Sequence, residues 1–149
     1  MQQQFDNAAR QAWMSLLSRA SLAALEQWAA HGVPAHIWLR KPETGLVMVR
    51  GRAGASGARF NLGEMTLTRC ALRLVSGEAG VAYVQGRSAR HAELAALADG
   101  MLQAPASAAA VQRELIDSLQ EQFDQRRHRQ QSRAQATRVE FFTLVRGES

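Results

Sequence analysis

The sequence predicts an α+β fold, with helices flanking an antiparallel sheet of about four strands, an N-terminal helical hairpin and a long C-terminal helix. Three observations carry this. Apolar residues recur at spacings of three and four in the first thirty residues and again from His91 onward; between these stretches the spacing drops to two; and the strand-like segments are joined by short turns, which suit antiparallel neighbours. The whole chain of 149 residues, 1–149, is expected to form one domain with its own core.

The first helix is expected over residues 6–18, where Ala9, Trp13, Leu16 and Leu17 share a face. Ser21 is placed to cap a second helix with Leu22, Leu25, Trp28 and Ala29 as its buried stripe, ended by Gly32 before Pro34. A period of two then sets Ile37 and Leu39 against His36 and Trp38, and Leu46 and Met48 against Val47 and Val49, with residues 42–45 read as a turn between two strands. After the glycine-bearing loop 51–57 comes a longer strand, 60–75, interrupted near Gly63. In its second part Cys70, Leu72 and Leu74 face opposite to Arg69 and Arg73. Residues 76–80 turn into a last strand, 81–86. Ser88 caps a helix carrying His91, Leu94, Leu97, Ala98, Met101 and Leu102; Pro105 breaks it, and a final helix spans 108–137 with few core residues in its second half.

Composition narrows the function. A chain 46% hydrophobic and 21% charged is that of an ordinary globular protein. One cysteine, Cys70, excludes an internal disulfide framework, and no metal site is expected. No apolar run is long enough to span a bilayer and the first residues lack the features of a signal peptide, so the expected location is the cytoplasm, without membrane attachment. The net charge of +5 points to anionic partners: phosphorylated small molecules, nucleic acid or an acidic protein surface.

No motif declares an active site, and the catalytic residues are unknown. His91-Ala92-Glu93 resembles the opening of a zinc deaminase site, but no Pro-Cys-x-x-Cys follows; His91 and Glu93 are read as structural or interface polar residues. Residues 50–59 join three arginines to a flexible loop able to grip phosphate, or merely to hold solvated charges, and they do not form a Walker loop. Arg50, Arg52, Arg59 and Arg87 are the anion-binding candidates. Ser56, Thr66, Thr68 and Cys70 have no histidine partner at a recognisable spacing. The basic segment 126–133 supports an alternative, a nucleic-acid-binding module, but it lacks interleaved aromatics, so nucleic acid is disfavoured. Phe141, Phe142, Leu144, Val145 and Arg146 form an apolar run that would either add a strand to the sheet or anchor in a neighbouring subunit.

Several separated stretches together resemble the PhnG family of the bacterial carbon-phosphorus lyase system. They are Trp13-Met14-Ser15, Glu43-Thr44-Gly45-Leu46-Val47, the loop 52–60, Thr66-Leu67-Thr68-Arg69, Val84-Gln85-Gly86-Arg87 with His91-Ala92-Glu93, and the closing run 138–147. The loop departs from the family pattern at Ala55, which stands where a glycine is expected. The resemblance implies a non-autonomous subunit of a transferase complex, the α-D-ribose 1-methylphosphonate 5-triphosphate synthase. It also implies sister subunits of the carbon-phosphorus lyase core complex as partners. ATP and methylphosphonate would be substrates of the complex, with no cofactor held by this chain. The competing classes are the nucleic-acid module and a self-sufficient phosphotransferase.

Overall fold

The computed structural model describes residues 7–145, with side chains described through residue 137. The order is α1 (Asn7–Arg19), α2 (Leu22–Ala29), β1 (His36–Arg52), β2 (Arg59–Leu74), β3 (Ala79–Gln85), α3 (Ala89–Gln103), α4 (Ala108–Val111), a π-helical turn (Gln112–Ile116) and α5 (Asp117–Val145). The three strands form one antiparallel sheet in the order β1-β2-β3.

The sheet has three strands rather than about four, because residues 42–45 do not turn. Gly45 is not among the glycines with positive φ, and β2 is long enough to pair with both halves of β1, from His36↔Leu74 to Arg52↔Arg59. The surplus residues are absorbed as register shifts between Trp38 and Arg40 and between Arg40 and Glu43. Pro42 is tolerated there because β1 is an edge strand and the position lies in a bulge. A further shift falls between Val49 and Arg50, opposite Gly63, whose φ of 155° suits glycine; this is the interruption expected near that residue. No fourth strand comes from the C-terminus either, since the backbone through Val145 is helical. The side chains of Phe141, Phe142, Leu144 and Val145, and the whole of Arg146, lie outside the described residues.

β3 pairs with β2 only from Ala79↔Arg73 to Gln85↔Leu67. Beyond that rung β1 and β2 continue alone as a two-stranded arm, roughly residues 46–66, closed by the loop at 53–58. On the body of the sheet Cys70, Leu72 and Leu74 are buried and Arg69 and Arg73 exposed, as the alternation predicts.

Helix α3 lies on the buried face of the sheet. Ser88 caps it, its Oγ accepting the His91 backbone N–H at 3.1 Å. The sequence reads one apolar side, yet Ala92, residues 94–100 and Leu102 are buried all round, because α1 and α2 cover the side that the sheet does not. Close approach needs small residues: a Cβ on Gly80 would overlap the Ala96 carbonyl oxygen and crowd the Gly100 backbone. In α2, capped by Ser21 Oγ at 3.2 Å from the Ala24 N–H, Leu25 and Trp28 are buried while Leu22 is exposed and Ala29 only partly covered.

Asp99 is the one fully buried charged side chain among the described residues. Arg10 reaches its two oxygens from Nε at 3.1 Å and Nη2 at 2.8 Å, Trp13 Nε1 donates at 2.9 Å, and the Val81 backbone N–H donates at 3.0 Å. One carboxylate therefore joins α1, α3 and the free edge of β3. Gln103 adds a second tie, its Nε2 donating to the Ala79 and Asp99 carbonyls.

The final helix is not regular. The π-helical turn places the adjacent Leu115 and Ile116 both in the core, and Leu119 and Phe123 follow against it. Phe123 lies under Arg19, whose guanidinium is 4.8 Å from the ring centroid, with Arg126 at 5.7 Å. From Asp124 to Thr137 every side chain is exposed.

Replacing Asp99 by alanine strands Arg10, Trp13 and Val81 without their acceptor. The expected loss is about 3–5 kcal/mol of unfolding free energy, measured by urea denaturation; a change within the roughly 0.5 kcal/mol typical of surface positions would remove Asp99 from this role.

Candidate functional site

Three of the stretches singled out in the sequence meet side by side across the sheet. Glu43 pairs with Arg69 and Arg69 with Tyr83; Thr44 pairs with Thr68 and Thr68 with Val84; Leu67 pairs with Gln85. On the helix-facing side the buried Thr68 hydroxyl donates to the Gly86 carbonyl at 2.6 Å and lies 3.0 Å from the Thr44 hydroxyl. This ties β1, β2 and the turn after β3 together at the root of the arm. Gly86 accepts that turn at a φ of 93°.

On the opposite side Glu43 Oε1 accepts from Arg69 Nε at 2.7 Å and from Arg40 Nη1 at 3.1 Å. The Arg69 hydrogen bond holds the Glu43 carboxyl below its ordinary range, with Arg40 helping and partial desolvation opposing. A shallow cleft of about 390 Å³ runs past Glu43, Gly45, Leu67, Arg69 and Tyr83.

The arm carries the cationic candidates. Arg50 and Arg52 lie two apart on β1, and Arg52 is directly paired with Arg59 on β2, so all three guanidiniums leave the same side of the ribbon. Gly51 faces the other way, where the Leu62 side chain occupies the place of a Cβ. Like charges directly across a strand pair repel, and no carboxylate among the described residues forms a salt bridge with any of the three. Arg87 is not with them. It is exposed just after Gly86, whose N–H donates to the Thr66 carbonyl at 2.9 Å, which places it at the root of the arm; Arg50 lies four residues further out than Leu46, roughly 13 Å along the strand.

His91 and Glu93 sit at the start of α3 and do different things. His91 Nε2 lies 2.9 Å from the Leu17 carbonyl and so fastens α3 to the end of α1. Glu93 accepts from Arg90 Nη1 at 2.9 Å and stands 3.8 Å from His36 Nε2, a partner that spacing in sequence does not reveal. The His36 ring meets Trp38 edge-on at 5.1 Å. Burial, and secondarily the Glu93 carboxylate, pushes the Cys70 thiol up to about 12, so it stays protonated and unreactive at neutral pH. No cluster of three His, Cys, Asp or Glu suited to a metal occurs among the described residues. The basic residues Arg126, Arg127, His128 and Arg129 are consecutive and point around α5, with Arg126, Arg129 and Arg133 sharing one side. No described helix is long and apolar enough to cross a membrane.

Asp99 and His36 are among the polar positions that reasoning from the sequence missed. A single acid amid Leu97-Ala98-Asp99-Gly100-Met101 was the available signal for the first; none existed for the second.

Fold and site define a small α+β protein whose helical body anchors a sheet arm tipped with positive charge. The chain belongs to the PhnG family: the profile of the phosphonate metabolism protein PhnG matches residues 8–147. It is similar to a protein of Rhizobium meliloti (strain 1021) named alpha-D-ribose 1-methylphosphonate 5-triphosphate synthase subunit PhnG. The two are 43% identical over 143 residues, covering 95% of this chain and 91% of that protein.

The Glu43 cluster makes a prediction about titration. Followed by carboxyl NMR, Glu43 should titrate below an ordinary glutamate, and Arg69→Ala should return it most of the way. Because the folded value is lowered, the contribution of this contact is present above the unfolded value and lost as pH falls through the folded one. An unchanged titration in the variant would mean that Arg69 does not set it.

Proposed function

We propose that this chain is a non-autonomous subunit of α-D-ribose 1-methylphosphonate 5-triphosphate synthase in phosphonate catabolism, working in the cytoplasm with sister subunits of the carbon-phosphorus lyase core complex. The supporting observation is the family match along nearly the whole chain, together with a relative that bears this subunit's name. In the reaction proposed for the complex, a phosphonate oxygen bonds to ribose C1 of ATP as the bond from C1 to adenine breaks. The triphosphate stays on C5. Such a step develops positive charge on the sugar, and needs a proton for the departing purine and a firm hold on two anions.

This chain's part in that division is holding rather than proton transfer. Arg50, Arg52 and Arg59 project together from one side of the arm with no carboxylate partner among the described residues, and guanidinium groups suit the bidentate geometry of phosphate oxygens. The triphosphate or phosphonate is the anion they would meet. The buried, protonated Cys70 offers no nucleophile, and the acid for adenine is assigned to a sister subunit because no described residue of this chain is placed as a general acid toward a purine. His91 and Glu93 hold α3 in place, and Arg87 stands apart at the arm's root.

The test is co-expression of the sister subunits with and without this chain, following adenine release and ribosyl phosphonate formation from ATP and methylphosphonate. Product should require the chain; full product without it would defeat the proposal. In the assembled complex Arg52→Ala with Arg59→Ala should raise the KM for ATP by roughly tenfold or more, in keeping with lost charged hydrogen bonds, while assembly persists. Unchanged kinetics would dismiss the arginines.

A further inference from the structure

The arm is more apolar than its position permits. Leu46-Val47-Met48-Val49 is a continuous apolar run, the pattern of a strand covered on both faces, whereas a strand with one wet face alternates. Side chains follow that pattern. Leu46 and Met48 point to the side that the helices cover further down the sheet, but they lie beyond the helices and are 63% and 55% exposed. Val47 and Val49 point the other way, with Leu62 and Phe60, which remain 62% and 45% exposed. A two-stranded ribbon alone in water is marginally stable, and exposed apolar strands of this length invite unwanted pairing.

We propose that the arm inserts into a cleft of a sister subunit, a cleft with apolar walls on both sides that brings the three arginines to the bound triphosphate or phosphonate. This rests on the subunit role proposed above and adds the docking element to it. On the face of Leu46 and Met48 the apolar residues occupy the root and middle of the ribbon, while on the opposite face Val47, Val49, Leu62 and Phe60 carry the apolar surface out to the level of Gly51. The three arginines occupy the end, and against them the arm from residue 46 to residue 66 carries a single acid, Glu64. A second copy of this chain is the wrong occupant, because pairing two arms end to end sets arginines against arginines. A flat surface is also wrong, because it would leave either Leu46 and Met48 or Phe60 and Leu62 in water.

The experiment tags a sister subunit, co-expresses the full set with this full-length chain, and measures how much of the chain is recovered. Four forms are compared: the wild type, Leu46→Ser with Met48→Ser, Phe60→Ser with Leu62→Ser, and Val75→Ser, which is 82% exposed in a turn remote from the arm. Circular dichroism of each chain checks that it folds, and hydrogen exchange of the wild-type arm, free and in the complex, supplies a reading independent of mutation. Both double variants should lower recovery by roughly tenfold or more, as loss of interface anchors does, with Val75→Ser equal to wild type and the arm amides protected on assembly. Loss with only one pair would mean a one-sided contact and overturn the cleft. Full recovery of both, with no protection, would overturn docking by the arm while leaving the subunit role standing. Failure of the wild type itself to assemble would remove that role and this inference together. A wild-type chain that dimerises alone through the same residues would make the second copy the occupant and overturn the proposal.

Discussion

Everything in the body of this protein is arranged around one buried carboxylate. Asp99 lies on the helix that is covered from both sides, and an ionised group there is tolerable only with its oxygens fully engaged. Arg10 and Trp13 supply donors from α1, and Val81 supplies one from a strand edge. The arrangement fixes three elements by direction as well as distance, which apolar packing alone does not do. It also occupies a backbone donor on β3 that would otherwise invite another strand.

That edge is closed by polar ties, while the other end of the sheet is left to project. The contrast is physical. Around β2 and β3, small residues such as Gly80, Ala96 and Gly100 let a helix lie almost on the backbone. Past the rung of Leu67 and Gln85 no described helix continues the cover, and the ribbon carries its own apolar surface outward. A body built this tightly gives the projecting arm a fixed root, with Thr44, Thr68 and Gly86 linking the three strands where the arm departs.

Much of the body was legible in the sequence. Ser21 and Ser88 announce helix starts because short hydroxyl side chains satisfy free N–H groups, and Cys70, Leu72 and Leu74 alternate with arginines because one side of that strand is wet. The length of β1 was not legible. Pro42 and Gly45 have the composition of a turn, and only the pairing partner decides whether such residues reverse the chain or are carried through as bulges. Nor could spacing show that Arg50, Arg52 and Arg59 share a side while Arg87 does not, since that depends on a cross-strand register. Besides its neighbour Arg90, Glu93 faces His36, more than fifty residues away in sequence, and no local pattern encodes that pairing.

The π-helical turn at Gln112–Ile116 sets the phase of everything after it. A helix advances about 100° per residue, so the number of residues in that one turn decides which side of α5 meets Phe123's neighbours and which side looks outward from Asp124 to Thr137. Loss or gain of a single residue there would leave the composition of α5 untouched and yet rotate its whole exposed surface by more than a quarter turn. The outer helix thus works like a dial read from its base: its aim is stored as a residue count, which the contacts of Leu119 and Phe123 then lock.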